Sequence, residues 1–173
     1  MITPKKNIPI APHTNYHSGG AAREVYFPET TDELLDVFSY IKENNFDYYL
    51  LGGGSNVLVG DGYFDGVVII TTNLTRIEPH ENHILCGAGA QSSKIAETAL
   101  EHGKTGLEFL YLLPGSIGGA LAGNARYDYT NVSSVLIHLT AVHPAHGRKI
   151  FNSDDIEFAY KFSSITRDGW YIT

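Results

Sequence analysis

The sequence predicts an α+β fold, on three observations. Two amphipathic helical segments lie among short strand-like segments, several of which read as hairpins rather than as strand–helix–strand units. A soft boundary near residues 71–73 separates a βαββ-like first unit, residues 1–72, from a second, residues 73–173, that is richer in strands. Three glycine-rich stretches interrupt the elements, at residues 51–56, 86–103 and 111–125.

The elements follow in order. REVYFP (23–28) points Val25 and Phe27 inward and stops at a proline, as a short strand does. TTDELLDVFSYIKENN (30–45) is a helix. Thr30 or Thr31 can cap it, Asp32 and Glu33 suit the positive end of its dipole, and Leu34, Leu35, Val37, Phe38 and Ile41 form its apolar stripe. DYYLL (47–51) is a strand that enters the glycines, and GVVIITT (66–72) is a buried strand by its β-branched run. RIEPHENHILCGAG (76–89) reads as a hairpin with its turn near Pro79 to Asn82. SSKIAETALEHG (92–103) is a second helix, capped by Ser92 or Ser93, with Gly103 placed for a left-handed C′ residue. VSSVLIHLTAVHP and GRKIFN pair as strands around PAHG. GWYIT closes the sequence in or just after another strand, an odd place for a domain to finish, so the expectation is a portion of a longer protein.

Composition narrows the function classes. The 173 residues are 43% hydrophobic and 18% charged, ordinary for a soluble globular chain. A net charge of −7 without any basic run argues against nucleic acid and anionic membranes as partners. No segment approaches the roughly 20 apolar residues of a membrane span, and the first 20 residues hold no signal-like apolar run. The single Cys86 excludes an internal disulfide and fits a reducing cytosol, hence a cytoplasmic expectation. The eight histidines form no HxxxH or HExxH pair, so no metal site is expected. Nothing points to a specific protein partner.

The glycine stretches carry the chemistry. In LGGGSN, successive backbone N–H groups of Gly52, Gly53 and Gly54 can turn into one concavity for an anion, and Ser55 and Asn56 add side-chain donors. One or two glycines would serve a plain turn; three followed by Ser-Asn favour a phosphate or diphosphate cradle. CGAGAQS (86–92) resembles half of a dinucleotide fingerprint, but its third glycine position is Ser92 and the acid some 20 residues on could only be Glu108. In LPGSIGGALAGNA (113–125), Pro114 and Gly115 make a turn, and Ser116 can cap a short helix opened by Gly118 and Gly119. Glycines in a helix that only packs would cost about 1 kcal/mol each relative to alanine; the bland alternative is a close helix–strand contact. Two anion-friendly loops fit one elongated diphosphate ligand.

Four segments, APHTNYHSGGAA (11–22), YYLLGGGSNVLVGDGYFDGVVI (48–69), GLEFLYLLPGSIGGALAGNA (106–125) and IEFAYKFSS (156–164), together resemble the UDP-N-acetylenolpyruvoylglucosamine reductase family, also called UDP-N-acetylmuramate dehydrogenase. The resemblance covers nearly the whole chain from about Ile10. It implies the two-subdomain FAD-binding fold shared with vanillyl-alcohol-oxidase-type enzymes, here without the family's substrate domain. It implies FAD between the subdomains, with Gly52, Gly53, Gly54, Ser55 and Asn56 around the diphosphate. Pro114, Gly115, Ser116, Gly118, Gly119, Asn124 and Ala125 would lie along the diphosphate and the flavin ring. Some relatives tether flavin through histidine or cysteine; GGGSN holds neither, so FAD is expected to be non-covalent. The family's reaction uses NADPH as hydride donor to reduce the enol ether of UDP-N-acetylglucosamine-enolpyruvate to UDP-N-acetylmuramate, a peptidoglycan precursor.

Two departures bear on that implication. The family's arginine in FGYRxS is Lys161, beside Tyr160, in FAYKFS (158–163). A lysine keeps the charge but loses the two-pronged hold on a carboxylate; alone it would read as a solvated surface residue. The family's serine proton donor and late glutamate have no counterpart here, and Ser163 and Glu157 match other positions. The alternatives are therefore a flavin-binding module without turnover and, less favoured, another oxidase of the same fold. Tyr127 and Tyr129 could line the cleft or simply pack, and Cys86 reads as an inert core residue.

Overall fold

A run of β-branched residues needs apolar cover on both sides, and VVII lies at the heart of the larger sheet. The computed structural model describes residues 2–173. Strands β1 (Lys5–Pro9) and β2 (Ala21–Tyr26), helix α1 (Thr31–Asn44), and strands β3 (Tyr48–Leu51) and β4 (Phe64–Ile70) form the first part. Their sheet has the order β1-β2-β4-β3. β1 runs antiparallel to β2, while β4 lies parallel to both β2 and β3. Val67 and Ile69 join a cluster with Leu34, Val37, Phe38 and Ile41 of α1, and Val68 and Ile70 join Ile10, Ala22, Val25 and Leu51 on the other face.

α1 begins as its sequence demands: Thr30 caps it by accepting the Glu33 N–H at 3.1 Å. It ends at Asn45, which takes the left-handed conformation at φ 51°. Burying its four apolar side chains contributes about 1.5–3 kcal/mol each relative to exposure.

β3 and β4 are parallel neighbours, so their connection must return along the sheet, which takes about a dozen residues. That crossover is residues 52–63, an irregular loop rather than a helix, and the three glycines open it at the C-terminal end of β3.

The second part contains β5 (Ile77–Pro79) and β6 (Ile84–Cys86), α2 (Ser92–Glu101), α3 (Ile117–Ala122), and the hairpin of β7 (Arg126–Tyr127) and β8 (Thr130–Asn131). Strands β9 (His138–His143) and β10 (Gly147–Asn152), the hairpin of β11 (Phe158–Ala159) and β12 (Phe162–Ser163), α4 (Ser164–Arg167) and β13 (Tyr171–Ile172) complete it. β9 is central to a sheet of order β10-β9-β13. The two parts share core: Val142 of β9 packs into the α1 cluster, and the Tyr48 and Tyr171 hydroxyls meet at 2.9 Å. Among the described residues no helix is long and apolar enough to cross a membrane.

Several local expectations are corrected. β1 has no signal in its sequence because it is an exposed edge strand, with Asn7 at φ 53°. The strand expected from Val132 begins only at His138; residues 132–135 form a 3₁₀ turn, in which the Ser134 hydroxyl donates to the Asn131 carbonyl at 2.7 Å and competes with strand pairing. The strand GVVIITT ends at Ile70, and Thr71 to Asn73 turn away. The N-cap position of α2 is Gln91, not Ser92 or Ser93, its side chain makes no cap, and the Ser92 hydroxyl turns to the Gly115 carbonyl at 3.4 Å.

Candidate functional site

Three loops converge at the end of β3, and the glycines are what let them. A side chain on Gly54, which sits at φ 65°, would run into the carbonyl of His13. One on Gly53 would stand 2.8 Å from the Ser116 nitrogen and 2.9 Å from the Gly115 Cα, and one on Gly52 2.7 Å from the Ser116 Oγ. The nearest neighbours of all three are thus other loops of the protein. Hydrogen bonds tie the junction: Asn15 N–H to the Gly54 carbonyl at 3.0 Å, Gly53 N–H to the Ser116 Oγ at 3.1 Å, and the Ser55 hydroxyl to the Pro114 carbonyl at 3.2 Å. Ser116 does occupy the N-cap position of α3, but its side chain caps nothing there. Its buried hydroxyl accepts from Gly53 instead, which corrects the expected cap.

What remains at the junction is a set of unengaged donors. The N–H groups of Gly54, Ser55 and Asn56 have no protein acceptor among the described residues, nor does that of Gly119 in the first turn of α3. Ile117 and Gly118 are engaged, donating to the carbonyls of Ala90 and Ala88 at 2.9 Å each. Beside the junction lies a cavity of about 660 Å³, bordered by Gly53, Thr72, Gln91, Lys94, Pro114 and Ser116. Unengaged neutral N–H donors gathered at one junction suit an anion such as a diphosphate better than a cation.

The second glycine stretch is scaffolding. Gly87 and Gly89 donate to the carbonyls of Arg76 and Leu74 at 2.9 and 3.0 Å, and a side chain on either would strike the Leu74 or Thr71 carbonyl. Among the described residues β6 pairs only with β5, antiparallel, so no strand–helix–strand dinucleotide unit forms there.

Asn124 and Ala125 follow α3. Ala125 donates to the Ala120 carbonyl at 2.7 Å, and Asn124 is 9% exposed. Tyr160 and Lys161 form the two-residue tip of the β11–β12 hairpin. Tyr160 is 88% exposed, and the Lys161 ammonium lies 5.6 Å from its ring centroid. Lys161 holds φ 54°, a left-handed conformation uncommon for lysine. Ser163 is buried with its hydroxyl unpartnered among the described residues, and Glu157 pairs with Arg167 at 3.3 Å.

The sequence reading missed the N-terminal loop as part of this junction. His13 and Thr14 close over Gly54, and His13 leans on Phe27 with ring centroids 5.3 Å apart. Burial, then the Lys5 charge, holds the His13 imidazole below its ordinary value. No side-chain pattern in TNYHSGG announces a backbone contact. Thr72, Gln91 and Lys94 were likewise unmarked, since only folding brings them to the cavity.

Cys86 borders a separate cavity of about 360 Å³, walled by Ile95, Leu110, Ile117 and Leu139. Burial pushes its thiol from the ordinary 9.0 up to about 11. At pH 8 this leaves about a hundredfold less thiolate, so iodoacetamide should alkylate the folded chain about that much more slowly than the denatured one. Equal rates in the two states would show Cys86 to be accessible and unperturbed.

With this geometry in view, similarity to known proteins is informative. The family described as "FAD binding domain" matches residues 22–150. UDP-N-acetylenolpyruvoylglucosamine reductase of Limosilactobacillus reuteri subsp. reuteri is 36% identical over 161 residues, which are 93% of this chain and 54% of the relative. The protein of that name from Clostridium kluyveri is 34% identical over 168 residues, 97% of this chain and 55% of its own. The chain thus spans about half the length of the relatives it matches. The crystal structure of UDP-N-acetylenolpyruvylglucosamine reductase from Thermus caldophilus superposes with a TM-score of 0.82 at 24% identity, covering 100% of this chain and 60% of that one. The 6-hydroxy-D-nicotine oxidase of Arthrobacter nicotinovorans superposes at 0.61 with 18% identity, over 78% of this chain and 31% of that one. At such identities these two likenesses show the fold alone; the family match is what makes it an FAD-binding one.

Proposed function

We propose, from the premise that this chain belongs to the family of FAD binding domains, that it holds FAD non-covalently as the flavin-binding portion of a reductase. That reductase uses NADPH to convert UDP-N-acetylglucosamine-enolpyruvate into UDP-N-acetylmuramate for the cell wall, in the cytoplasm. The observation that carries the reading is the group of unengaged N–H donors of Gly54, Ser55, Asn56 and Gly119 where three loops meet beside a cavity. Relatives carrying the reductase name support the substrate assignment.

When bound, FAD would supply the hydride-transfer chemistry. The chain's own residues bind and orient. The N–H groups of Gly54, Ser55 and Asn56 would hold the diphosphate, with Gly52 and Gly53 keeping the loop close. Pro114, Gly115, Ser116, Gly118, Gly119, Asn124 and Ala125 would line the remainder of the cofactor. Lys161, steadied by Tyr160, would offer its charge to the substrate carboxylate as a single donor group rather than a two-pronged one.

The test is the visible spectrum of the purified chain, before and after incubation with FAD and removal of excess. We expect flavin bands that stay with the folded chain and leave on denaturation. A chain that retains no flavin at micromolar concentrations overturns the reading. A second reading, a flavin-binding module without turnover, is favoured by the exposure of the Tyr160–Lys161 tip. Anaerobic bleaching by NADPH, followed by recolouring with the enolpyruvyl substrate, separates the two: the module would hold flavin but show no recolouring.

A further inference from the structure

The β11–β12 hairpin is too short to hold itself. It has two pairs of residues, Phe158 with Ser163 and Ala159 with Phe162, and an isolated hairpin is marginal in water even when longer. Its base is closed by Ser164, which donates its N–H to the Glu157 carbonyl at 2.9 Å and accepts the Glu157 N–H on its hydroxyl at 3.0 Å. Towards the tip, one side chain from elsewhere in the sequence takes hold. The Asn124 Nδ2 donates to the Ala159 carbonyl at 3.1 Å, and its Oδ1 accepts the Ser133 N–H at 3.4 Å.

Three segments therefore meet on one carboxamide: the end of α3, the 3₁₀ turn at residues 132–135, and the residue immediately before Tyr160. We propose that Asn124 is a positioning residue, whose amide fixes the Tyr160–Lys161 tip to the C-terminal end of the helix whose first turn borders the glycine junction. α3 spans only Ile117–Ala122, so the clamp sets the Lys161 charge at a constant remove from Gly118 and Gly119. The functional meaning of that separation rests on the flavin reading above; the clamp itself does not.

The chemistry selects asparagine. The position has φ 43°, a left-handed conformation that asparagine tolerates better than most residues. It faces one carbonyl and one N–H, so it needs a donor and an acceptor on the same short side chain. Aspartate keeps the shape but turns an oxygen towards the Ala159 carbonyl. Glycine keeps the backbone but loses both bonds.

Hydrogen exchange on the wild-type chain, N124D and N124G tests the clamp. We expect residues 158–163 to exchange about tenfold faster in both variants, the factor one lost hydrogen bond gives, with β2 and β4 unchanged. N124G separates the clamp from a purely conformational role, because glycine relieves any left-handed strain and would then exchange as the wild type does. Unchanged exchange in N124D or in N124G overturns the proposal. If either variant fails to fold, the Asn124 side-chain protons of the wild type decide. One amide proton protected about tenfold supports the clamp, and both exchanging as a free amide overturns it. Flavin retention on the same samples keeps the two readings apart. A wild-type chain without flavin overturns the proposed function and leaves the exchange result standing. Flavin loss in N124D with unchanged hairpin exchange assigns Asn124 to the cofactor and overturns the clamp.

Discussion

Gly54→Ala is expected to abolish flavin retention and to destabilise the chain by about 2–4 kcal/mol, the sum of a left-handed backbone penalty and a collision. Gly54 sits at φ 65°, and an added Cβ meets the His13 carbonyl, with the Thr14 Cα at 2.9 Å behind it. Both contacts are backbone, so neither can swing aside as a flexible side chain would. For a chain of this size the loss lowers the melting temperature by about 5–15 °C. Gly53→Ala is the informative partner. Gly53 is absent from the left-handed positions, and its Cβ would press between the Ser116 nitrogen and the Gly115 Cα. It should spread the two loops at about 1–3 kcal/mol, the cost of overpacking without the left-handed penalty of Gly54, and weaken FAD binding at least tenfold. Thermal melts and a flavin titration on both variants check this. A Gly53→Ala chain that binds FAD as tightly as the wild type would sink the cradle, and an unchanged melt for Gly54→Ala would sink the loop contact.

Phe38→Ala should be the most destabilising single change in the core, at about 3–5 kcal/mol. Phe38 is 2% exposed. Its ring lies 5.6 Å from that of Tyr48 and 5.1 Å from that of Tyr171, so it joins α1, the larger sheet and the smaller one. Removing it leaves a void where the two parts share core. Tyr171→Phe serves as the control: it deletes only the hydroxyl contact with Tyr48, worth about 1 kcal/mol. Burial and the Tyr48 hydroxyl hold the Tyr171 phenol well above its ordinary value, so this contact does not titrate in the neutral range. Urea unfolding measures both variants. A Phe38→Ala loss below 1 kcal/mol, or one equal to that of Tyr171→Phe, would show that the shared core does not couple the two parts.

Helix α1 and strand β4 were legible because their information is local. A capping threonine, acids in the first turn and an apolar stripe specify α1, and an unbroken β-branched run specifies a strand covered on both faces. The edge strand β1, the two-residue hairpins and the 3₁₀ turns were not legible. Their residues are exposed or bond to distant backbone, and neither leaves a periodic mark.

The candidate site divides the same way. The sequence alone determined that residues 52–56 must be a backbone-rich loop, since three glycines exclude side chains whatever the surroundings, and its motifs pointed to a flavin-binding family. Only the tertiary structure decided what approaches those glycines. It is the protein's own loops at residues 13–14 and 115–116 that fill the space, leaving the N–H groups of Gly54, Ser55 and Asn56 unengaged. Tertiary structure also diverted Ser116 from capping α3 to holding Gly53, and set Asn124 against Ala159. The physical reason is common to all three. A hydrogen-bonding group takes the best partner within about 3 Å, and for residues dozens of positions apart that partner exists only once the chain has folded.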